Sequence, residues 1–205
     1  MPVSGVLDSV HWLRNDGHDA LDDAELVSRL MLGDVLAYEN ILYKYWSALA
    51  RYAFRLLDDM DAARDVSQEV FIRLWNGRAA LRRGSLRSYL FQMAHNLAVD
   101  EIRKRQRRDR WRTNRALEAD QALGDLSEVV ERDELSMAVT SAINALPARR
   151  REVFTLAYVD QFSYHEIAAV MGISPATVKN HMAAALSQLR DALRSHLPDK
   201  VEISH

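Results

Sequence analysis

A chain of 205 residues, 48% of them hydrophobic, can bury one medium core or two small ones, and its few glycines and prolines favour helices over sandwiches or disorder. The absence of cysteine excludes disulfides, thiolate zinc sites and cysteine nucleophiles. No apolar run is long enough to cross a membrane and MPVSGVLDSVHWLRNDGHDA has no signal-peptide core, so a cytoplasmic protein is expected, its net charge of -2 spread very unevenly.

Residues 1–21 show weak periodicity and read as an N-terminal extension. A helical pattern begins at Asp22 with Leu26, Leu30 and Met31, and Gly33 breaks it. The next pattern carries Ala37, Ile41, Tyr45, Leu49, Ala53 and Leu56 on one face. DDMD at 58–61 predicts a polar turn that also caps the following helix, which buries Ala63, Val66, Val70, Phe71 and Leu74 and ends near Asn76-Gly77. NGRAALRRGS is a basic loop. Ser85 then opens a helix with Leu86, Leu90, Met93, Leu97 and Ile102 inward. Phe91 and His95 fall at the edges of that stripe, and Tyr89, Asn96, Asp100 and Arg103 lie away from it.

That helix continues into EIRKRQRRDRWRTNR, where eight cations from Arg103 to Arg115 face only Glu101 and Asp109. The following ALEADQALGDLSEVVERDE reverses the sign, and a charge shift with little apolar periodicity reads as a linker. From Leu135 the helical pattern resumes with Val139, Ile143 and Leu146, Leu146-Pro147 breaks it, and REVFTLAYVD forms another helix. No convincing strand and no repeat is present. The expected fold is all-α: two small helical domains joined by a charged linker.

The stretch SYHEIAAVMGISPATVKNHM predicts a tight helical corner from local chemistry. Ser163 and Glu166 form a capping box, Gly172 supplies a left-handed stop, Ser174 caps the next helix and Pro175 sits in its first turn. Val178, Met182, Ala185, Leu189 and Leu193 face inward. Ala176, Asn180, Ala183, Ala184 and Ser187 face outward, flanked by Lys179 and His181. A rim of small side chains with an amide and a cation suits a DNA major groove, although an ordinary solvated hairpin has the same local signals.

The basic run is suited to neutralising phosphates. Tyr89 beside Asn96 and Arg103 fits either a platform for unpaired bases or a half-buried core edge. In DAARDVSQEVFIRLW, Asp61, Asp65, Gln68 and Glu69 share an exposed side. That side is either a solvated face with acids placed well for the helix dipole or a docking surface for a basic partner. The seven histidines are scattered without metal-ligand spacing, and no phosphate loop or nucleophile elbow occurs. No catalytic residues, no metal and no cofactor are expected.

DVSQEVFIRLW followed by LRSYLFQMAHNLAVDEIRKRQRR resembles the core of a bacterial sigma factor, and ALPARRREVFTLAYVDQFSYHEIAAVMGISPATVKNHMAAALSQLR resembles its C-terminal promoter-binding domain. The two-domain size is similar to the extracytoplasmic-function (ECF) group of the sigma-70 family. The resemblance implies a non-enzymatic subunit that directs RNA polymerase core enzyme to promoter DNA, with an anti-sigma factor as a further partner and no membrane insertion. It implies an N-terminal extension at 1–21, a sigma-2-like domain at 22–112, a linker at 113–134 threading toward the polymerase active-site channel, a sigma-4-like helix-turn-helix domain at 135–197 and a tail at 198–205. By resemblance, Asp61, Asp65, Gln68 and Glu69 dock on polymerase. Tyr89, Asn96, Arg103, Lys104, Arg105, Arg107 and Arg108 meet the −10 element, and Ser174, Thr177, Lys179, Asn180, His181 and Ala184 meet the −35 element. Tyr89 stands where the family often has tryptophan and Arg64 where it usually has an acid. Ala183 and Ala184 stand where it is often bulky or basic. The alternative is a stand-alone helix-turn-helix regulator, which would leave the acidic helix and the arginine run unused.

Overall fold

A computed structural model describes residues 22–81, 84–113 and 134–194, with side chains at 109–113 and 134–135 excepted. The extension, the linker, the tail and the end of the basic run lie outside the described residues.

Among the described residues the chain forms α-helices and one short 3-10 turn, with no strand. The N-terminal unit holds α1 (Asp23–Met31), α2 (Val35–Leu57), α3 (Met60–Gly77) and α4 (Leu86–Thr113). The C-terminal unit holds α5 (Glu134–Asn144), α6 (Ala148–Tyr158), α7 (Tyr164–Met171) and α8 (Pro175–Ala192).

Local chemistry places the boundaries. Gly33 turns the chain between α1 and α2 at φ 84, a left-handed value that a side chain would strain. Asp34 then caps α2, accepting from the Leu36 and Ala37 amides at 2.9 and 3.3 Å. Asp58 ends α2 in the left-handed conformation, and Asp59 caps α3 by accepting from Ala62 N–H at 3.0 Å. The expected polar turn therefore does two jobs with adjacent aspartates.

The inward faces of α2 and α3 follow the expected spacing, with Leu57 in place of Leu56 as the buried residue at the end of α2. Met31, expected in the α1 stripe, is 41% exposed, because the helix ends there. Trp46 stacks on Phe71 with centroids 5.8 Å apart, joining α2 to α3. The larger difference is on α4. Leu86 and Leu90 are buried as expected, while Met93, Leu97 and Ile102 are half-buried. Phe91 and His95, expected at the edges, are buried with Ala94 and Ala98. The cause is tertiary: Phe162, in the turn before α7, packs on Phe91, and Glu152 of α6 reaches His95, covering a side that periodicity within the N-terminal unit would leave open. One apolar cluster therefore runs from Leu26 in α1 through Phe91 in α4 to Phe162, Ile167 and Met182. A smaller cluster of Ala142, Leu146, Ala185 and Leu189 seats α5 on α8.

Candidate polymerase and nucleic-acid interfaces

Three exposed surfaces emerge from this frame. The first is the outer face of α3. Asp61, Arg64 and Asp65 are exposed, and Gln68 and Glu69 are intermediate. Spacings of three and four residues put Asp61, Arg64, Asp65 and Gln68 in one row. Arg64 Nη1 lies 3.7 Å from Asp61 Oδ1 and Arg73 Nε donates to Glu69 Oε1 at 2.7 Å, both in solvent. Ile72 extends the row and is 43% exposed. Sequence reasoning passed over it, although it lies four residues beyond Gln68 on the same face and is the apolar point that such a polar surface would need for tight docking.

The second surface is the outer side of α4. Ser85 starts it, its Oγ accepting from Ser88 N–H at 3.1 Å. Tyr89, Asn96, Asp100, Arg103, Lys104, Arg107 and Arg108 are all exposed, on the opposite side from the residues under α7. The expected separation of Tyr89 and Asn96 from the core is present, while Phe91 is fully enclosed and unavailable for stacking on a base.

The cations are not equivalent. Arg105 is only 31% exposed and donates to Asp59 Oδ2 at 2.8 Å. Arg103 faces Asp100 at 3.5 Å, and Lys104 and Arg108 face Glu101 at 3.8 and 2.9 Å; all three cations are exposed, so a phosphate can compete for them. Arg107 is exposed. The Asp59 carboxyl is held below its ordinary range, chiefly by the Ala62 amide and then by Arg105.

The third surface is the outer face of α8. Ser163 Oγ accepts from Glu166 N–H at 3.3 Å while Glu166 Oε2 accepts from Ser163 N–H at 2.9 Å, completing the capping box of α7. The Ser163 amide keeps the Glu166 carboxyl below its ordinary range. Gly172 adopts φ 65 and turns the chain into α8. The Ser174 hydroxyl caps α8 through Thr177 N–H at 3.1 Å and contacts the Thr177 hydroxyl at 2.8 Å. With Val178, Met182, Ala185 and Leu189 buried, Lys179, Asn180 and Ala183 are exposed, and His181 and Ala184 are half-buried on the flanks. Small groups beside an amide leave the backbone of α8 open to close approach by a duplex.

The seam between the units escaped sequence reasoning. Phe91 and Phe162 meet edge-on with centroids 4.9 Å apart, and the Arg87 guanidinium lies 4.1 Å from the Phe162 ring centre. Tyr52, His95 and Glu152 meet in its interior. Glu152 sits among arginines at the start of α6, a sequence context that reads as solvent-exposed.

The family model of Sigma-70 region 2 matches residues 42–108, and that of Sigma-70, region 4 matches residues 136–189. RNA polymerase sigma-H factor of Pseudomonas aeruginosa is 30% identical over 181 residues, covering 84% of this chain and 94% of that one. ECF RNA polymerase sigma factor SigW of Bacillus subtilis is 27% identical over 179 residues, covering 82% and 95%. Among solved structures, the sigma factor RpoE of Bartonella quintana, in complex with the anti-sigma factor NepR, is 25% identical at a TM-score of 0.60, covering 77% of this chain and 96% of that one. CnrH in complex with the cytosolic domain of CnrY shares the fold at a TM-score of 0.61 and 23% identity, covering 85% of this chain and 99% of that one. The chain belongs to the sigma-70 family, within its extracytoplasmic-function group.

Proposed function

We propose that this chain is a promoter-specificity subunit that binds RNA polymerase core enzyme, brings it to promoters with matching −10 and −35 elements and acts without catalysis of its own. Residues 22–112 dock on polymerase through Asp61, Asp65, Gln68 and Glu69, with Ile72 as an added apolar contact. In this reading Tyr89 and Asn96 meet unpaired −10 bases, and Arg103, Lys104, Arg107 and Arg108 meet phosphates. Arg105, tied to Asp59, holds the arginine tract in place more than it binds. Residues 135–197 present Ser174, Thr177, Lys179, Asn180, His181 and Ala184 to the −35 major groove. By likeness to the Bartonella quintana complex, an anti-sigma protein is a further partner. Work with polymerase implies a cytoplasmic location, and among the described residues no helix is long and apolar enough to cross a membrane.

The observation that carries this reading is the exposure, on one chain, of an acidic docking row on α3, an aromatic-amide-arginine face on α4 and a small-residue groove helix in α8. A duplex-only regulator would use the last alone. Reconstitution with core enzyme is the test: the chain should co-elute with core and drive transcription from selected promoters. Tight binding to an operator duplex in the absence of core, with no transcription in its presence, would favour the regulator instead.

A further inference from the structure

None of the three surfaces above includes the corner where α1 turns into α2, yet that corner carries the densest run of exposed apolar side chains among the described residues. Met31, Leu32, Val35 and Leu36 are 41%, 89%, 54% and 61% exposed. A loose turn is not the reason. Gly33 N–H donates to the Leu30 carbonyl at 2.9 Å. Asp34 accepts from Arg29 Nε at 2.8 Å through one carboxylate oxygen and from the Leu36 amide at 2.9 Å through the other. Single exposed leucines are ordinary on a soluble chain. A tied corner that presents four large apolar side chains, together about 400 Å², has the size that marks a contact surface.

Size also bears on what covers it. A stable dimer buries about 800 Å² on each partner, roughly twice this patch, so a second copy would be held weakly. A segment tethered nearby needs far less area, because its effective concentration is about millimolar.

Residues 1–21 are such a segment, joining α1 through its cap Asp22. Within them VLDSVHWL, residues 6–13, holds Val6, Leu7, Val10, Trp12 and Leu13, with Asp8 as the one formal charge. Asn15-Asp16-Gly17 follows, a sequence suited to reversing the chain. From Asp23 to Leu32 is about 14 Å along the helix, and residues 14–22 can span up to about 30 Å, so the block can reach the corner. The path is low. Ala24, Ser28 and Met31 recur at four- and three-residue spacing and are all exposed, so a returning segment meets small side chains before it meets the patch.

We propose that the corner formed by Met31, Leu32, Val35 and Leu36 is the docking surface for residues 6–13 of the same chain, which turn back near Gly17, run along α1 and shield the corner from solvent. The extension is then a further packed element of the N-terminal unit. The docking uses no group assigned above to polymerase or DNA, so it stands or falls apart from the promoter-specificity reading.

The sequence has no cysteine, so one photoreactive group can be placed without background. Ser28→Cys, at an exposed position on α1, is labelled with benzophenone maleimide in the full-length chain. After irradiation, monomer and dimer bands are separated on a denaturing gel and digested for mass spectrometry. Cross-links to residues 6–13 within the monomer band are expected. Leu32→Asp with Val35→Asp in the labelled chain should cut their yield several-fold, because docking would then bury unpaired carboxylates. Both positions are exposed, so the fold should tolerate the change. An equal yield from that variant would reduce the contact to tethered proximity and overturn the docking, as would a monomer band without cross-links to 6–13. Cross-links confined to the dimer band would give the patch to a second copy instead. In a separate measurement, deleting residues 2–13 should raise binding of an apolar-surface dye, and the same two aspartates in the truncated chain should return it to the wild-type level. Dye binding left unchanged by the deletion would mean that the corner is bare in the intact chain, and the docking would be excluded.

Discussion

Arg105 Nη2 lies 2.8 Å from Asp59 Oδ2, tying the arginine tract of α4 to the residue that caps α3. The same side chain reaches the Leu57 carbonyl and Glu101 at 3.5 and 3.4 Å. Removing it therefore loosens two helices, whereas its neighbours end in solvent. Arg105→Ala should lower the melting temperature. Arg103→Ala and Arg107→Ala should leave stability within ~0.5 kcal/mol. Those two should instead weaken DNA binding across all sequences, each flattening the salt slope by about one unit. Melts beside salt titrations of promoter binding separate the two behaviours.

The α3 row should matter to polymerase and little to folding. Asp65 is exposed, and Gln68 and Ile72 are no deeper than half-buried. Asp65→Arg, Gln68→Ala and Ile72→Ala should each shift stability by ~0.5 kcal/mol while core affinity falls far more. Arg64→Glu should strengthen core binding, since it restores an acid to the row. Normal core binding by Asp65→Arg and Gln68→Ala together would mean that polymerase docks elsewhere.

On α4, Tyr89→Ala and Asn96→Ala should reduce promoter opening or −10 discrimination, read by permanganate reactivity, and leave closed complexes largely intact. Tyr89 is 39% exposed, so losing its ring removes less packing than losing a core aromatic would. An equal loss of closed complexes would assign Tyr89 a structural role.

Asn180 offers the sharpest reading of base choice. An amide held bidentate to a base is worth ~1–3 kcal/mol of discrimination, so Asn180→Ala should relax one or two −35 positions in a selection experiment. Ala184→Arg should raise non-specific DNA binding and spare the −10 preference. Val178 is fully buried, and Val178→Asp should unfold the C-terminal unit by placing a charge in its core. An unchanged −35 preference in a folded Asn180→Ala chain would leave the reading to other residues or to DNA shape.

Acid should destabilise the fold through its helix caps. Arg29 chiefly lowers the Asp34 carboxyl, the Ala62 amide that of Asp59 and the Ser163 amide that of Glu166. Carboxyls lowered in the folded state add stability above the unfolded value, about 4, and lose it as pH falls through the folded ones. The melting temperature should hold from neutral pH to about 5 and decline below about 4. Asp34→Asn, Asp59→Asn and Glu166→Gln should lower it at neutral pH and flatten the decline. A decline centred near pH 6 would point to histidine instead.

The α7–α8 corner was fully legible in sequence, because Ser163, Glu166, Gly172, Ser174 and Pro175 act within a few residues of themselves. The outward sides of α3 and α8 were legible for the same reason: burying one stripe exposes the opposite one. His95 and Phe91 were not. What covers them arrives from α6 and from the turn before α7, and a period read along α4 says nothing about a helix so distant in sequence. Arg105 and Arg107 look alike in a run of cations, and only the folded chain brings Asp59 beside the first.

Helix α4 runs unbroken from Leu86 to Thr113, a rod of about 42 Å. It meets the C-terminal unit near its start and carries arginines toward its end, so its register is a shared constraint on both. Inserting one residue between Asn96 and Arg103 would turn every later side chain by about 100° around the axis. Arg105 would swing away from Asp59, and the cations would leave the side that carries Tyr89. Related chains should therefore vary freely in the residues displayed along this helix while keeping its length between Tyr89 and Arg108 fixed, and gaps in their alignments should collect in the connections on either side.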